Sequence, residues 1–160
     1  AFEAAHGHHP QLGALIALHP GLRHSGGLAC YPDAATLARL DEATLQSAGL
    51  SATKARSLLT VARLATEGQL PLDDWLHTPS ADTIRARLAS IRGIGPWTIN
   101  YTLLRGFASV DGSLHGDVAV RRGLQKLLGR AEKVDADEAE TWLARFAPWR
   151  ALVAAHLWAG

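Results

Sequence analysis

The chain has one cysteine, no long apolar run and almost no net charge, and each shortage excludes something. Cys30 alone cannot close an internal disulfide, nor supply a four-thiolate zinc or iron–sulfur centre. An isolated cysteine most often packs as a small hydrophobe, so Cys30 is expected to be a buried bystander. Apolar runs are interrupted by His, Gly or Arg well before the ~18 residues that span a bilayer, and no charged-then-apolar leader opens the chain. The expectation is a soluble, cytoplasmic protein with no membrane partner. Position 1 is Ala1 rather than Met, which suggests that an initiator residue or more is missing. At 160 residues and 48% hydrophobic composition there is material for one ordinary core, so a single domain over residues 1–160, two-lobed at most, is expected.

A formal charge of +1 makes no case for nucleic acid, but its distribution is uneven. Residues 84–130 hold 8 Lys and Arg against 2 Asp and Glu, whereas residues 1–83 hold 5 against 8 and residues 131–160 hold 3 against 5. The basic middle stretch is either a polyanion-facing surface or a solvated helix face.

What is present is helical patterning. Leu, Ala and Arg recur at three- and four-residue spacing, and no β-branched period-two alternation is sustained, so the fold class is all-α. Ser51 reads as an N-cap for a helix over Ala52 to Glu67 with Ala55, Leu58, Leu59, Ala62 and Ala65 on one stripe, ended by Gly68. Further helices are predicted over Ala34–Leu40, Asp41–Ala48, Ser80–Ser90, Pro96–Gly106, Asp117–Leu128 and Asp135–Phe146, with a last one after Pro148. Glycines and prolines break up residues 1–30, where no element can be placed. His6, His8 and His9 there read as an exposed loop rather than a metal site, since no Cys or carboxylate stands at ligand spacing.

Between two predicted helices stands Ile91-Arg92-Gly93-Ile94-Gly95-Pro96, apolar residues around a two-glycine turn. Glycine permits positive backbone angles and leaves no side chain in the way, so N–H groups at the start of the next helix can face a phosphate. Ile94 is expected to plug between the two helices. Such a turn also occurs as an ordinary connection. Asp117, at a predicted helix start, reads equally as an N-cap or a functional carboxylate. Trp97 and Tyr101 are four apart and share a helix face, while Trp75, Trp142 and Trp149 read as core.

The hairpin with the following Trp97-Thr98-Ile99-Asn100-Tyr101-Thr102-Leu103-Leu104-Arg105-Gly106, then Gly116-Asp117, Pro148-Trp149-Arg150 and His156-Leu157-Trp158, resembles the helix-hairpin-helix DNA glycosylase superfamily in its DNA-3-methyladenine glycosylase II branch. The similarity runs from about Tyr31 to the end. It implies a two-lobed helical bundle without the β-rich N-terminal domain of larger members, and a monomer acting on double-stranded DNA with a damaged base, at the nucleoid. It implies Asp117 as catalytic carboxylate and Trp97, Tyr101 and Trp158 as a pocket for a flipped base. DNA contacts are implied at Arg92, Gly93, Gly95, Pro96, Thr98 and Arg121, with Arg105, Arg122 and Lys126 as further candidates. Main-chain carbonyls of Ala89, Ile91 and Ile94 would hold a monovalent cation. Arg92 replaces the usual hairpin proline.

The implied chemistry is release of alkylated purines such as 3-methyladenine and 7-methylguanine. Their positive charge already weakens the glycosidic bond and favours stacking on tryptophan. A carboxylate stabilises the oxocarbenium-like sugar, and no cofactor is required for that step. Members that also cut the strand carry a lysine where Trp97 stands, so the implied enzyme is monofunctional and leaves an abasic site. Residues 1–30 depart from the family's Gly-Gln-rich segment and supply no identifiable residue to fill the gap left by the flipped base. The alternative is a helix-hairpin-helix module, or degraded relative, that binds DNA without chemistry.

Overall fold

The computed structural model describes residues 30–77 and 80–159, together with residues 14, 15, 17, 18, 23 and 25–27. His6, His8 and His9 lie outside the described residues. From residue 30 onward the regular elements among the described residues are helices: α1 (Ala34–Ala38), α2 (Glu42–Ser47), α3 (Ala52–Thr66), α4 (Leu72–His77), α5 (Ala81–Ala89), α6 (Pro96–Phe107), α7 (Val118–Leu127), α8 (Ala136–Ala144) and α9 (Arg150–Ala159). The fold is all-α, and none of these helices is long and apolar enough to cross a membrane.

Local chemistry sets most of the helix starts. Asp33, Asp41, Ser51, Ser80, Asp117 and Asp135 precede α1, α2, α3, α5, α7 and α8, and each side chain accepts from a first-turn N–H that has no intrahelical partner. Helix α6 starts differently, with Gly95 at the cap position making no side-chain bond and Pro96 in the first turn. It runs through Gly106 and stops where Ala108 turns left-handed at φ 52°.

Two compact units emerge. The first comprises the described residues up to Leu72 with Ile91–Gly93, and the second comprises Asp73–Ser90 and Ile94 onward. In the first, α1 and α2 pack on α3 around buried Leu45, Ala55 and Leu59. Gly93 belongs here: at φ 92°, a Cβ on it would run into the Ser57 hydroxyl, which donates to the Arg92 carbonyl at 3.1 Å. In the second unit α7 packs on α9, α8 on both, and α6 on α5 and α9. Its core is built on Leu114, Val120, Leu143, Ala151 and Ala154, with Leu124, Val134 and Ala139 in a neighbouring cluster.

The loop between α6 and α7 is pinned from three sides within the second unit. Asn100 Nδ2 donates to the Ser113 carbonyl at 2.7 Å. The Val110 carbonyl accepts from Ala151 and Leu152 at the start of α9. Arg150 grips Asp111 in a two-pronged pair, Nε to Oδ1 at 2.7 Å and an Nη to Oδ2 at 2.9 Å. Asp111 Oδ1 also accepts from the Arg150 backbone N–H at 3.3 Å, so one carboxylate ties the loop to the first residue of α9.

Four expectations are corrected. Trp149 is 55% exposed rather than core, because α9 turns its buried face through Ala151 and Ala154. Cys30 is half-buried rather than buried. Ile91, not Ile94, is the fully buried isoleucine of the hairpin; Ile94 is half-exposed. Helix α4 was absent from the sequence reading, although Pro71 followed by Asp73 and Asp74 is a sound helix start, because six residues carry too little periodicity.

Candidate active site

Asp117 combines both roles that its sequence position left open. It caps α7, with Oδ1 accepting from Ala119 N at 2.7 Å and Val120 N at 3.2 Å. Its second oxygen, Oδ2, accepts from the Trp97 indole N–H at 2.7 Å. Three donors thus fix the orientation of a half-buried carboxylate, which keeps solvent access. The loop pinned by Asp111 and Asn100 leads directly into it. Spacing in the sequence puts Trp97 and Tyr101 on one helix face but carries no signal for this hydrogen bond, which depends on where α6 and α7 meet.

The aromatic residues come together, though not as two slices around a gap. Trp97 and Tyr101 stack on each other, ring centroids 5.1 Å apart and planes 16° from parallel, and Tyr101 meets Trp158 edge-on at 5.7 Å. A base held between two rings needs about 7 Å, twice the optimal carbon–carbon separation of ~3.5 Å. No base fits between Trp97 and Tyr101. The face available for stacking is the outer face of Trp97, which is 43% exposed, backed by Tyr101 and then Trp158.

The residues with implied DNA contacts divide. Arg92, Gly93 and Pro96 are exposed, Gly95 and Thr98 are half-buried. A Cβ on Gly95 would meet nothing within 4 Å, so the protein leaves open space at the start of α6, where first-turn N–H groups lack partners. Arg105 and Arg122 are exposed, while Arg121 is half-buried with an Nε that has no hydrogen-bond partner. Among the implied cation carbonyls, Ala89 closes α5, and Ile91 and Ile94 flank the Arg92–Gly93 turn. Main-chain oxygens are the hard donors such an ion takes.

An all-helical protein with a capped carboxylate bonded to an aromatic platform is thus the class that fold and site define. No family model matches the chain. DNA-3-methyladenine glycosylase 2 of Escherichia coli is 32% identical over 131 residues, 81% of this chain and 42% of that protein. Among solved structures, the 3-methyladenine DNA glycosylase of Schizosaccharomyces pombe in complex with abasic DNA superposes with a TM-score of 0.72 at 22% identity, over 93% of this chain and 79% of that one. The 3-methyladenine DNA glycosylase from Archaeoglobus fulgidus gives 0.72 at 20% identity, over 93% and 50%. Over about four fifths of its length the chain is similar to curated DNA-3-methyladenine glycosylases, and it shares the fold of solved 3-methyladenine DNA glycosylases. It spans 42% of the E. coli protein and 46% of a Bacillus subtilis relative, less than half of either.

Proposed function

We propose that this chain is a monofunctional DNA glycosylase that releases positively charged alkylated purines from duplex DNA and leaves an abasic site. The observation that carries the reading is the 2.7 Å hydrogen bond from Trp97 Nε1 to Asp117 Oδ2, which ties a stacking face to a carboxylate. A flipped base lying on the outer face of Trp97 places its sugar within reach of Asp117. A cationic base gains cation–π attraction on that face that a neutral base lacks. The glycosidic bond then breaks with both electrons leaving on the base, whose positive charge is thereby neutralised. Asp117 stabilises the positive sugar, and a water adds to the anomeric carbon and passes its surplus proton to bulk water.

The reading includes phosphate contacts at Gly95, Pro96 and Thr98 at the start of α6, with Arg92 close in sequence. A monovalent cation bound by main-chain carbonyls of Ala89, Ile91 and Ile94 would supply positive charge toward a backbone phosphate. No cofactor enters the chemical step, and the enzyme acts as a monomer on the nucleoid.

The test is release of free 3-methyladenine and 7-methylguanine from methylated duplex by wild type beside Asp117→Asn. Asparagine caps helices as well as aspartate, so the variant is expected to fold and bind duplex. Base release should drop on the order of 100- to 1,000-fold, the scale of losing a preorganised electrostatic group. Equal release by both proteins would remove Asp117 from the chemistry. Duplex binding without release by wild type would favour a module that only holds DNA.

A further inference from the structure

Beside α7 lies a cavity of about 250 Å³ lined by Val118, Arg121, Arg122, Gln125, Lys133 and Val134. Three cationic side chains face it and no acidic residue lines it. Elsewhere in the second unit three arginines are matched with carboxylates, Arg85 with Asp82, Arg130 with Glu138 and Arg150 with Asp111, and Arg145 lies over the Trp142 ring. Among the described residues Arg121, Arg122 and Lys133 enter no such pair. The buried Nε of Arg121 also has no acceptor. A buried donor left unpaired is costly to the fold, so a site that holds one is poised for a ligand that accepts from it.

The cavity is built rather than incidental. Gln125 donates its amide to the Arg130 and Ala131 carbonyls at 3.2 and 3.0 Å, which folds the α7–α8 connection back along α7. Buried Val134 anchors the end of that connection and sets Lys133 at the cavity. Arg121 follows Asp117 by one helical turn and donates its N–H to the Asp117 carbonyl at 3.1 Å.

We propose that this cavity holds a backbone phosphate of the DNA strand, one turn of α7 from the candidate carboxylate, with Arg121, Arg122 and Lys133 as its binding residues. Guanidinium groups suit phosphate oxygens through charge-assisted, paired hydrogen bonds. The inference rests on the glycosylase reading and extends it. Anchoring a phosphate here fixes the sugar–phosphate chain relative to Asp117, whereas the Gly95 turn grips it at another element.

The test uses fluorescence-detected binding of the full chain to a duplex carrying a stable abasic analogue, between 50 and 200 mM salt, values chosen as in other phosphate-binding proteins. Arg122 and Lys133 are exposed, so Arg122→Gln/Lys133→Gln should keep its helical spectrum and melting temperature. Each phosphate neutralised contributes about 0.9 to the log–log salt slope, so losing this one contact should make the double variant shallower by up to about 0.9 and weaken its binding roughly tenfold. A folded double variant with the wild-type slope, beside a wild type that binds duplex and releases base, overturns this site alone. A wild type that binds no duplex overturns the glycosylase reading and this site together. Inorganic phosphate supplies the last arm: if it raises the melting temperature of wild type but not of the double variant, while their DNA slopes agree, the cavity serves a free anion and the backbone assignment fails.

Discussion

Trp97 supplies a ring face and an indole N–H, and the two are separable by substitution. Trp97→Phe keeps a flat ring stacked on Tyr101 but deletes the donor to Asp117 Oδ2. Phenylalanine is also a weaker cation–π partner than tryptophan. A hydrogen bond to a charged group is worth about 1.5–3 kcal/mol. If the indole positions the carboxylate, single-turnover release of 3-methyladenine should slow by about ten- to a hundredfold, with a smaller change in duplex affinity. Unchanged release would mean that the two α7 N–H groups orient Asp117 unaided. The sequence shows why this residue pair was only half readable. Asp117 as a cap is local, set by the two residues after it, whereas its bond to Trp97 crosses 20 residues. The four-residue spacing of Trp97 and Tyr101 correctly put both rings on one face. The same spacing makes them cover each other, which closes the gap that a sandwiched base would need.

At the scale of elements, helices were legible wherever a side chain writes its own boundary. Asp33, Asp41, Ser51, Ser80 and Asp135 each bond a backbone N–H three residues on, and such caps need no tertiary information. What packs on what was not legible. Gly123 stands inside α7, where glycine is a poor helix former, and nothing in its sequence surroundings asks for it. The structure does: a Cβ there would collide with the main-chain carbonyl of Leu157 on α9. Because the obstacle is backbone, the two helices must part. Gly123→Ala should cost about 3 kcal/mol despite its better helix propensity, and lower the melting temperature by roughly 10 °C for a chain of this size. Gly95→Ala is the control, since open space surrounds that position, and it should melt within a degree or two of wild type. A thermal scan of both variants decides whether contact or propensity governs Gly123.

For the molecule as a whole, acid should act on both units through carboxylates held in their charged form. In the second unit, hydrogen bonds from Arg150 hold Asp111 below its ordinary value against an opposing effect of burial; in the first, hydrogen bonds from Thr44 do the same for Asp41. A carboxylate with a folded pKa below its unfolded value of about 3.9 contributes stability that is complete above that value. The contribution disappears as pH falls through the folded value, because both states are then protonated. Arg150, raised by the same partnership, stays charged throughout. The melting temperature should therefore be level from pH 8 to about 5 and fall below about 4. Asp111→Asn locates one source of that fall. The Asp111–Arg150 pair is partly solvent-exposed, so its worth is discounted to the order of 1 kcal/mol, or a few degrees near neutral pH. The variant should melt below wild type at pH 7 and converge with it in acid, since the wild-type pair is lost there. A constant offset between the two melting curves down to pH 2 would mean that Asp111 works through packing of the α6–α7 loop rather than through its charge.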